Sequence, residues 1–248
     1  MHEELLDGAG RVVATYERGT RMELPYADEL RPVDIAPDDL VKLLFAERKG
    51  WVFSAAPEIC QVAKASGGTV VRHAHCYSYD LRTQPVDPGW AAGPLPEGLR
   101  FSEFSATLDE IYRAYELAFP PGHVDHVLDP ESERRNFARL LAGEVLGPVL
   151  PCSSLVWDGE TVVGVIVVND REGEPPLGGP WISQVYRDPA PRYRGLGTLL
   201  LRRALALGAR AGLPAIGLAV TEGNPARWVY AKADFQHVEE SMTVLIPD

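Results

Sequence analysis

Residues 181–211 constrain the fold more than any other segment. The run Trp181–Arg187 reads as a strand, and residues 195–211 read as a helix whose Leu196, Leu200, Ala204, Leu207 and Ala211 recur on one face until Gly212 stops it. A strand that feeds directly into an amphipathic helix needs a sheet for that helix to cover. The flanking segments supply one. Upstream, Ser153–Trp157 and Thr161–Asn169 are joined by Asp158-Gly159, a hairpin signal. Downstream come a strand over Ala215–Val220, a helix over Ala226–Ala233 and a strand over Val238–Ile246. Hairpin strands followed by a strand–helix–strand crossover predict an α/β fold with a mixed, mostly antiparallel sheet flanked by helices.

The same reading extends to the N-terminal side. Residues 99–104 form a strand, 107–119 a helix, and 131–146 a second helix opened by Asp129, Glu131 and Glu133, acids that suit a helix N-terminus. Residues 84–97 carry four prolines and two glycines and read as a linker, so the expected division is a smaller α/β segment over 1–83, a linker over 84–98 and a second domain over 99–248. Within the first segment, Val12–Glu17 and Arg21–Leu24 are expected strands. A helix from Pro37 to Gly50, a strand at Trp51–Ser54, a helix at Pro57–Ser66 and a strand at Thr69–Leu81 complete it.

Charge and cysteine usage narrow the function classes. Lys plus Arg number 24 against 35 for Asp plus Glu, a net charge of −11, and a field of that sign repels phosphate backbones and anionic lipid. Nucleic-acid and membrane partners are therefore not expected. The acidic start Met-His-Glu-Glu does not resemble a secretory leader, and no apolar run reaches the 18 or so residues of a spanning helix, so a cytoplasmic protein is expected. Cys60, Cys76 and Cys152 are widely spaced with no CxxC pair and read as buried thiols. His73 and His75 share a strand face, but with Cys76, His123 and His126 they make no spaced ligand set, and no metal is expected.

The chemistry concentrates in the turn before the long helix. Gly195 and Gly197 let backbone approach a bulky anion, and the first N–H groups of a helix are unpaired donors at its positive end. Arg192 and Arg194 add charge, and Thr198 adds a hydroxyl. A Walker loop would need Gly-Lys-Ser/Thr, and a dinucleotide fingerprint would need a third glycine where Leu200 stands. What remains, Arg192-x-x-Gly195-x-Gly197 preceded by Pro189, resembles the acyl-CoA signature R/Q-x-x-G-x-G/A of the GNAT family of N-acyltransferases. The element order over 99–246 resembles that family as well. A second marker resembles the family segment N-x-x-A-x-x-x-Y-x-x-x-G-F, matched at Ala226, Tyr230 and Phe235; Asn224 stands one residue nearer the tyrosine than is usual, and Asp234 replaces a glycine.

The resemblance implies an acetyl-CoA-dependent N-acetyltransferase in which an amine attacks the thioester directly. Val185, Tyr186 and Arg187 would pair with pantetheine, Arg192, Tyr193, Arg194, Gly195, Leu196, Gly197 and Thr198 would wrap the pyrophosphate, and Asn224 would touch the cofactor arm. Tyr230 would protonate the departing thiolate, as a phenol within hydrogen-bond reach can. Candidates for the acceptor side are Glu103, His123, Asp125, His126 and Glu222. Between 101 and 133 there are eight acids and one base, Arg113, a field suited to a cationic small-molecule or peptide amine. The alternative from another class is a non-catalytic acyl-CoA-binding module. Residues 37–81 repeat the order helix, strand, helix, strand of 195–246 without a glycine-pair turn. That layout resembles tandem GNAT proteins of the mycothiol synthase type with a degenerate first copy.

Overall fold

Three strands open the chain: β1 (His2–Leu6), β2 (Val12–Arg21) and β3 (Leu24–Pro32). The computed structural model describes residues 2–248, which gather into two units, the residues up to His75 with Glu239–Asp248, and Cys76–Val238. In the first unit β1, β2 and β3 form an antiparallel meander, and β3 then runs parallel to β4 (Val52–Ala55) after the crossover helix α1 (Pro37–Glu47). Helix α2 (Pro57–Ala65) leads into β5 (Thr69–Asp80). The last part of the C-terminal strand β11 (Gln236–Leu245) pairs antiparallel with β4, Val244 opposite Phe53. Leu40 and Leu44 of α1 and Ile59, Cys60 and Ala63 of α2 pack with Val13, Phe53 and Val244 in one core.

Two expectations change here. The short strand read over Arg21–Leu24 is the hairpin between β2 and β3, turned by Met22 and Glu23 at φ 55 and 63. Turns of that hand ordinarily advertise themselves with Asn or Gly, and this one does not. Strand β1 went unread because only Leu5 of its five residues is buried.

The second unit contains the end of β5, then β6 (Leu99–Glu103), α3 (Leu108–Ala118), α4 (Pro130–Leu141), β7 (Ser154–Asp158), β8 (Thr161–Arg171), β9 (Gly179–Arg187), α5 (Leu196–Arg210), β10 (Ala215–Thr221), α6 (Ala226–Lys232) and the start of β11. Strands β6 to β9 pair antiparallel in sequence, and β9 pairs parallel with β10. This is a mixed, mostly antiparallel sheet flanked by helices, as read from the sequence. Alternation along β8 sends Val165 and Val167 to the α3–α4 side and Ile166 and Val168 to the α5 side, so the strand is buried on both faces. Helix α3 begins with a capping box, Thr107 and Glu110 each bonding the other's backbone. Helix α4 stops at Leu141, short of the predicted Leu146, because Gly143 takes φ 79 directly after its cap.

On α5, Leu196, Leu200, Leu201 and Leu205 are fully buried, each contributing roughly 1.5–3 kcal/mol. Leu207 is half-buried and Ala211 exposed, so the apolar face is narrower at its C-terminal end than predicted. The proline-rich stretch lies inside the second unit and is docked on α5. Its Pro88–Ala91 forms a 3-10 turn capped by Asp87, which accepts from Gly89 N–H at 2.8 Å. Arg203 donates to the Ala91 carbonyl, and Arg202 lies over the Trp90 ring at 5.4 Å. Proline and glycine bar regular secondary structure there, but Trp90 and Ala91 still have apolar surface to bury.

Candidate active site

The site begins with a register irregularity. Across β8 and β9, Val167 faces Gln184 and Val168 faces Ile182, which leaves Ser183 as an extra residue, a β-bulge. The Ser183 hydroxyl donates to Asn169 Oδ1 at 2.6 Å, while Asn169 Nδ2 donates to the carbonyls of Gly147 at 2.8 Å and Leu140 at 3.2 Å. A fully buried asparagine is thus satisfied at both ends of its amide. On its other edge β9 pairs with β10 at Trp181–Gly217 and Ile182–Leu218. Gly217 is required there, since a Cβ would come within 2.5 Å of the Trp181 ring. Beyond the bulge the two strands separate. Ser183 to Arg187 on one side and Ala219 to Thr221 on the other line a cleft of about 440 Å³.

The predicted cofactor residues fall into two groups around this opening. Val185, Tyr186 and Arg187 line the cleft from β9. The turn that follows holds the rest. Gly195 caps α5 at φ 94 with nothing within 4 Å of where a Cβ would stand, and Gly197 is equally open. The first N–H groups of a 15-residue helix therefore face unobstructed space at its positive end. Tyr193 is buried and donates to Asp158 Oδ2 at 2.7 Å, and Arg192 reaches the same carboxylate at 3.2 Å while stacking over Tyr193. Those contacts fix the turn to the β7–β8 hairpin. Arg187 donates to the carbonyl of Asp188 at 2.7 Å. Arg192 and Arg194 are exposed, Thr198 is half-buried, and Leu196 faces the core.

Tyr230, on α6, is 6% exposed and lines the cleft with Asn224, Pro225 and Ala226. Burial, and then the negative charge of Asp125, hold its phenol well above the ordinary tyrosine range, so it stays protonated. Asn224 is committed elsewhere than expected: its Nδ2 donates to Asp125 Oδ2 at 2.6 Å and its Oδ1 accepts from Ala226 N–H at 2.8 Å.

The acceptor-side candidates separate. His123 and Asp125, on the loop between α3 and α4, line the cleft. Asp125 N–H donates to His123 Nδ1 at 3.1 Å. His126 instead bonds the Phe119 carbonyl through Nδ1 at 2.9 Å and closes the loop. Glu103 lies exposed at the end of β6, and Glu222 pairs with Arg227 at 3.2 Å. Sequence reasoning missed Ser183, Asn169, Asp158, Tyr115 and Phe119. Of these, Asn169 left a signal: a lone amide at the end of the apolar run Val162–Val168. In the first unit, His73 bonds Glu240 at 2.6 Å.

The model of the acetyltransferase (GNAT) family matches residues 108–235, just over half of the sequence. The chain belongs to the GNAT family. Its fold is similar to that of a GCN5-related N-acetyltransferase from Sphaerobacter thermophilus, with 18% identity and a TM-score of 0.66 over 100% of this chain and 81% of that one. It is also similar to a tandem GNAT protein from the clavulanic acid biosynthesis pathway, with 16% identity and a TM-score of 0.57 over 96% and 80% of the two chains. A GNAT-family acetyltransferase from Colwellia psychrerythraea aligns at 11% identity, TM-score 0.56, over 99% and 85%. A search of curated proteins returned no match. Among the described residues no helix is long and apolar enough to cross a membrane.

Proposed function

We propose that this GNAT protein transfers an acetyl group from acetyl-CoA to a primary amine by direct attack on the thioester. One observation carries the reading: the open glycine turn at the start of α5 and the cleft-lining phenol of Tyr230 belong to the same unit, joined by the splayed strand β9. Acetyl-CoA would supply an activated acyl carbon and a thiolate leaving group. The residues present fit it. The open space at Gly195 and Gly197 admits a diphosphate that a bulky side chain there would displace. The free edge of β9 past the bulge offers backbone donors and acceptors to an amide-bearing arm. Tyr230, kept protonated by its burial, donates a proton toward sulfur as the C–S bond breaks. A thiol-release assay over a panel of amines, with calorimetric acetyl-CoA titration, tests the reading; a protein that binds acetyl-CoA but turns over no amine would be a binding module instead.

The first unit is proposed to be a degenerate copy without a cofactor site. Its strands β1 to β4 follow the order of β7 to β10 in the second unit, two antiparallel pairs and then a parallel pair across a helix. The helix after its third strand starts at Pro37 behind an alanine cap, with acids rather than glycines in its first turn. One acetyl-CoA per chain is the expected stoichiometry, and two would refute it.

A further inference from the structure

Asp125 is the one carboxylate among the described residues that line the cleft; the cation there, Arg187, is turned onto the carbonyl of Asp188. Asp125 is also held in place from two directions. Asn224 donates to its Oδ2 at 2.6 Å, and Asn224 cannot swing freely because its own Oδ1 holds Ala226 N–H at 2.8 Å and its N–H bonds the Thr221 carbonyl at 3.0 Å. On the backbone side Asp125 N–H bonds His123 Nδ1, and the His123 ring packs edge-on to Phe119 at 5.0 Å. A carboxylate fixed this way costs little entropy when it meets a ligand.

Around it the wall is aromatic. Tyr115, Phe119 and Tyr186 all line the cleft, with Phe119 centred 4.8 Å from Tyr115 and 6.0 Å from Tyr186. One oriented carboxylate beside aromatic rings recognises an ammonium by charge and by cation–π attraction. Room is limited, because the same cleft of about 440 Å³ also borders the β9 edge, where the thioester arm would lie. That leaves space for a compact head group.

We infer that Asp125 binds the ammonium of the acceptor and that Asn224 is its positioning residue, so that the acceptor is a compact cationic primary amine with an apolar or aromatic body. The ammonium first passes one proton through Asp125 to solvent. The neutral amine then forms the N–C bond as C–S breaks, Tyr230 protonates the sulfur, and the second nitrogen proton leaves to restore the phenol. The inference rests on the acetyltransferase reading and names its acceptor class. It also reassigns the Asn224 side chain from the cofactor arm to the acceptor carboxylate.

The test uses the full chain, saturating acetyl-CoA and three probe amines, phenethylamine, n-hexylamine and 1,4-diaminobutane, followed by thiol release. Asp125→Asn should raise KM for the accepted amine by about 10-fold or more with kcat within about 3-fold, the loss of one charge-assisted contact. Asn224→Ala should raise KM in the same direction by about 3- to 10-fold, with a melting temperature lowered only by loss of the bond to Ala226 N–H, because the carboxylate remains but is no longer aimed. Calorimetric affinity for acetyl-CoA should stay at the wild-type value in both variants. An unchanged KM in Asp125→Asn overturns the inference, as does rejection of all three amines by a wild-type protein that binds acetyl-CoA. Weakened acetyl-CoA binding in Asn224→Ala with unchanged KM would return Asn224 to the cofactor arm. Wild-type protein that fails to bind acetyl-CoA at all would remove the acetyltransferase reading, and the acceptor assignment with it.

Discussion

Ser183 donates a hydrogen bond from its hydroxyl to Asn169 Oδ1 across 2.6 Å at the one residue of β9 that has no partner on β8. The bond couples the interior of the second unit to its cleft, since the same Asn169 ties down the carbonyls of Leu140 and Gly147 before β7. Replacing Asn169 with alanine removes the side-chain donor from the Gly147 carbonyl, while the Leu140 carbonyl keeps Gly143 N–H at 3.1 Å and the Ser183 hydroxyl keeps the Val167 carbonyl at 3.4 Å. The expected cost is about 1–3 kcal/mol in urea unfolding. Ser183→Ala leaves most of that network intact and should cost about 1 kcal/mol or less, but raise the acetyl-CoA dissociation constant several-fold through a loosened bulge. Equal stability losses in the two variants would show that the bulge and the amide network are not separable in this way.

The two turn glycines should respond differently to alanine. Gly195 sits at φ 94, where an L side chain is strained whatever space surrounds it, so Gly195→Ala is expected to lose about 1–2 kcal/mol of stability as well as acetyl-CoA affinity. Gly197 lies inside α5 without positive φ and has nothing within 4 Å of where an added methyl group would stand. Gly197→Ala should therefore hold or gain up to about 1 kcal/mol in stability, by helix propensity, and leave acetyl-CoA affinity within about 3-fold, since the signature admits alanine at this position. Thermal melts and titration calorimetry separate the two effects. A Gly195→Ala protein with wild-type affinity would mean that the diphosphate lies elsewhere.

Tyr230 carries a pH expectation whose sign follows from its setting. Burial and the Asp125 charge raise the phenol's pKa, so the protonated, donating form persists past the pH near 10 where an ordinary tyrosine ionises. Wild-type kcat should show no alkaline fall from this group between pH 8 and 10. A fall with a midpoint below 10 that disappears in Tyr230→Phe would contradict the buried environment. At neutral pH, Tyr230→Phe should lower kcat by about 100-fold and leave acetyl-CoA affinity within about 3-fold, the signature of a lost proton donor.

Much of this architecture was readable because its signals are local. The α5 stripe, the Asp158-Gly159 hairpin and the Arg192–Gly197 turn each announce themselves within a few residues, and each stands where it was expected. The bulge at Ser183 did not, because it arises from how two strands are offset, and alternation within β9 alone cannot reveal that offset. The Asn224–Asp125 bond was not legible for a related reason. A motif gives the spacing of an amide along the chain but not which distant side chain will occupy it, and Asp125 is 99 residues away. Strand β11 read as one element of a C-terminal domain, yet most of it completes the first unit against β4, a pairing that no periodicity encodes.

The docked proline-rich segment gives the last expectation. Arg203 is half-buried on α5; its Nε donates to Ser154 Oγ at 2.9 Å and its Nη1 to the Ala91 carbonyl, while its guanidinium lies over Phe101 at 4.6 Å. One side chain therefore ties together α5, β7, β6 and the 3-10 turn of the strap. Arg203→Met keeps much of the apolar stem but removes both donors, leaving the Ala91 carbonyl without that bond. The strap should then open more often than the core unfolds, although Tyr79 still donates to the Pro85 carbonyl at 2.6 Å and Val86, Trp90 and Leu95 still pack on the core. Limited proteolysis should cut the variant between residues 84 and 98 at least about 10-fold faster than wild type, while the urea midpoint shifts by only about 1–2 kcal/mol in free energy. Identical cleavage rates would mean that its apolar packing and the Tyr79 and Gln84 hydrogen bonds hold the strap without Arg203.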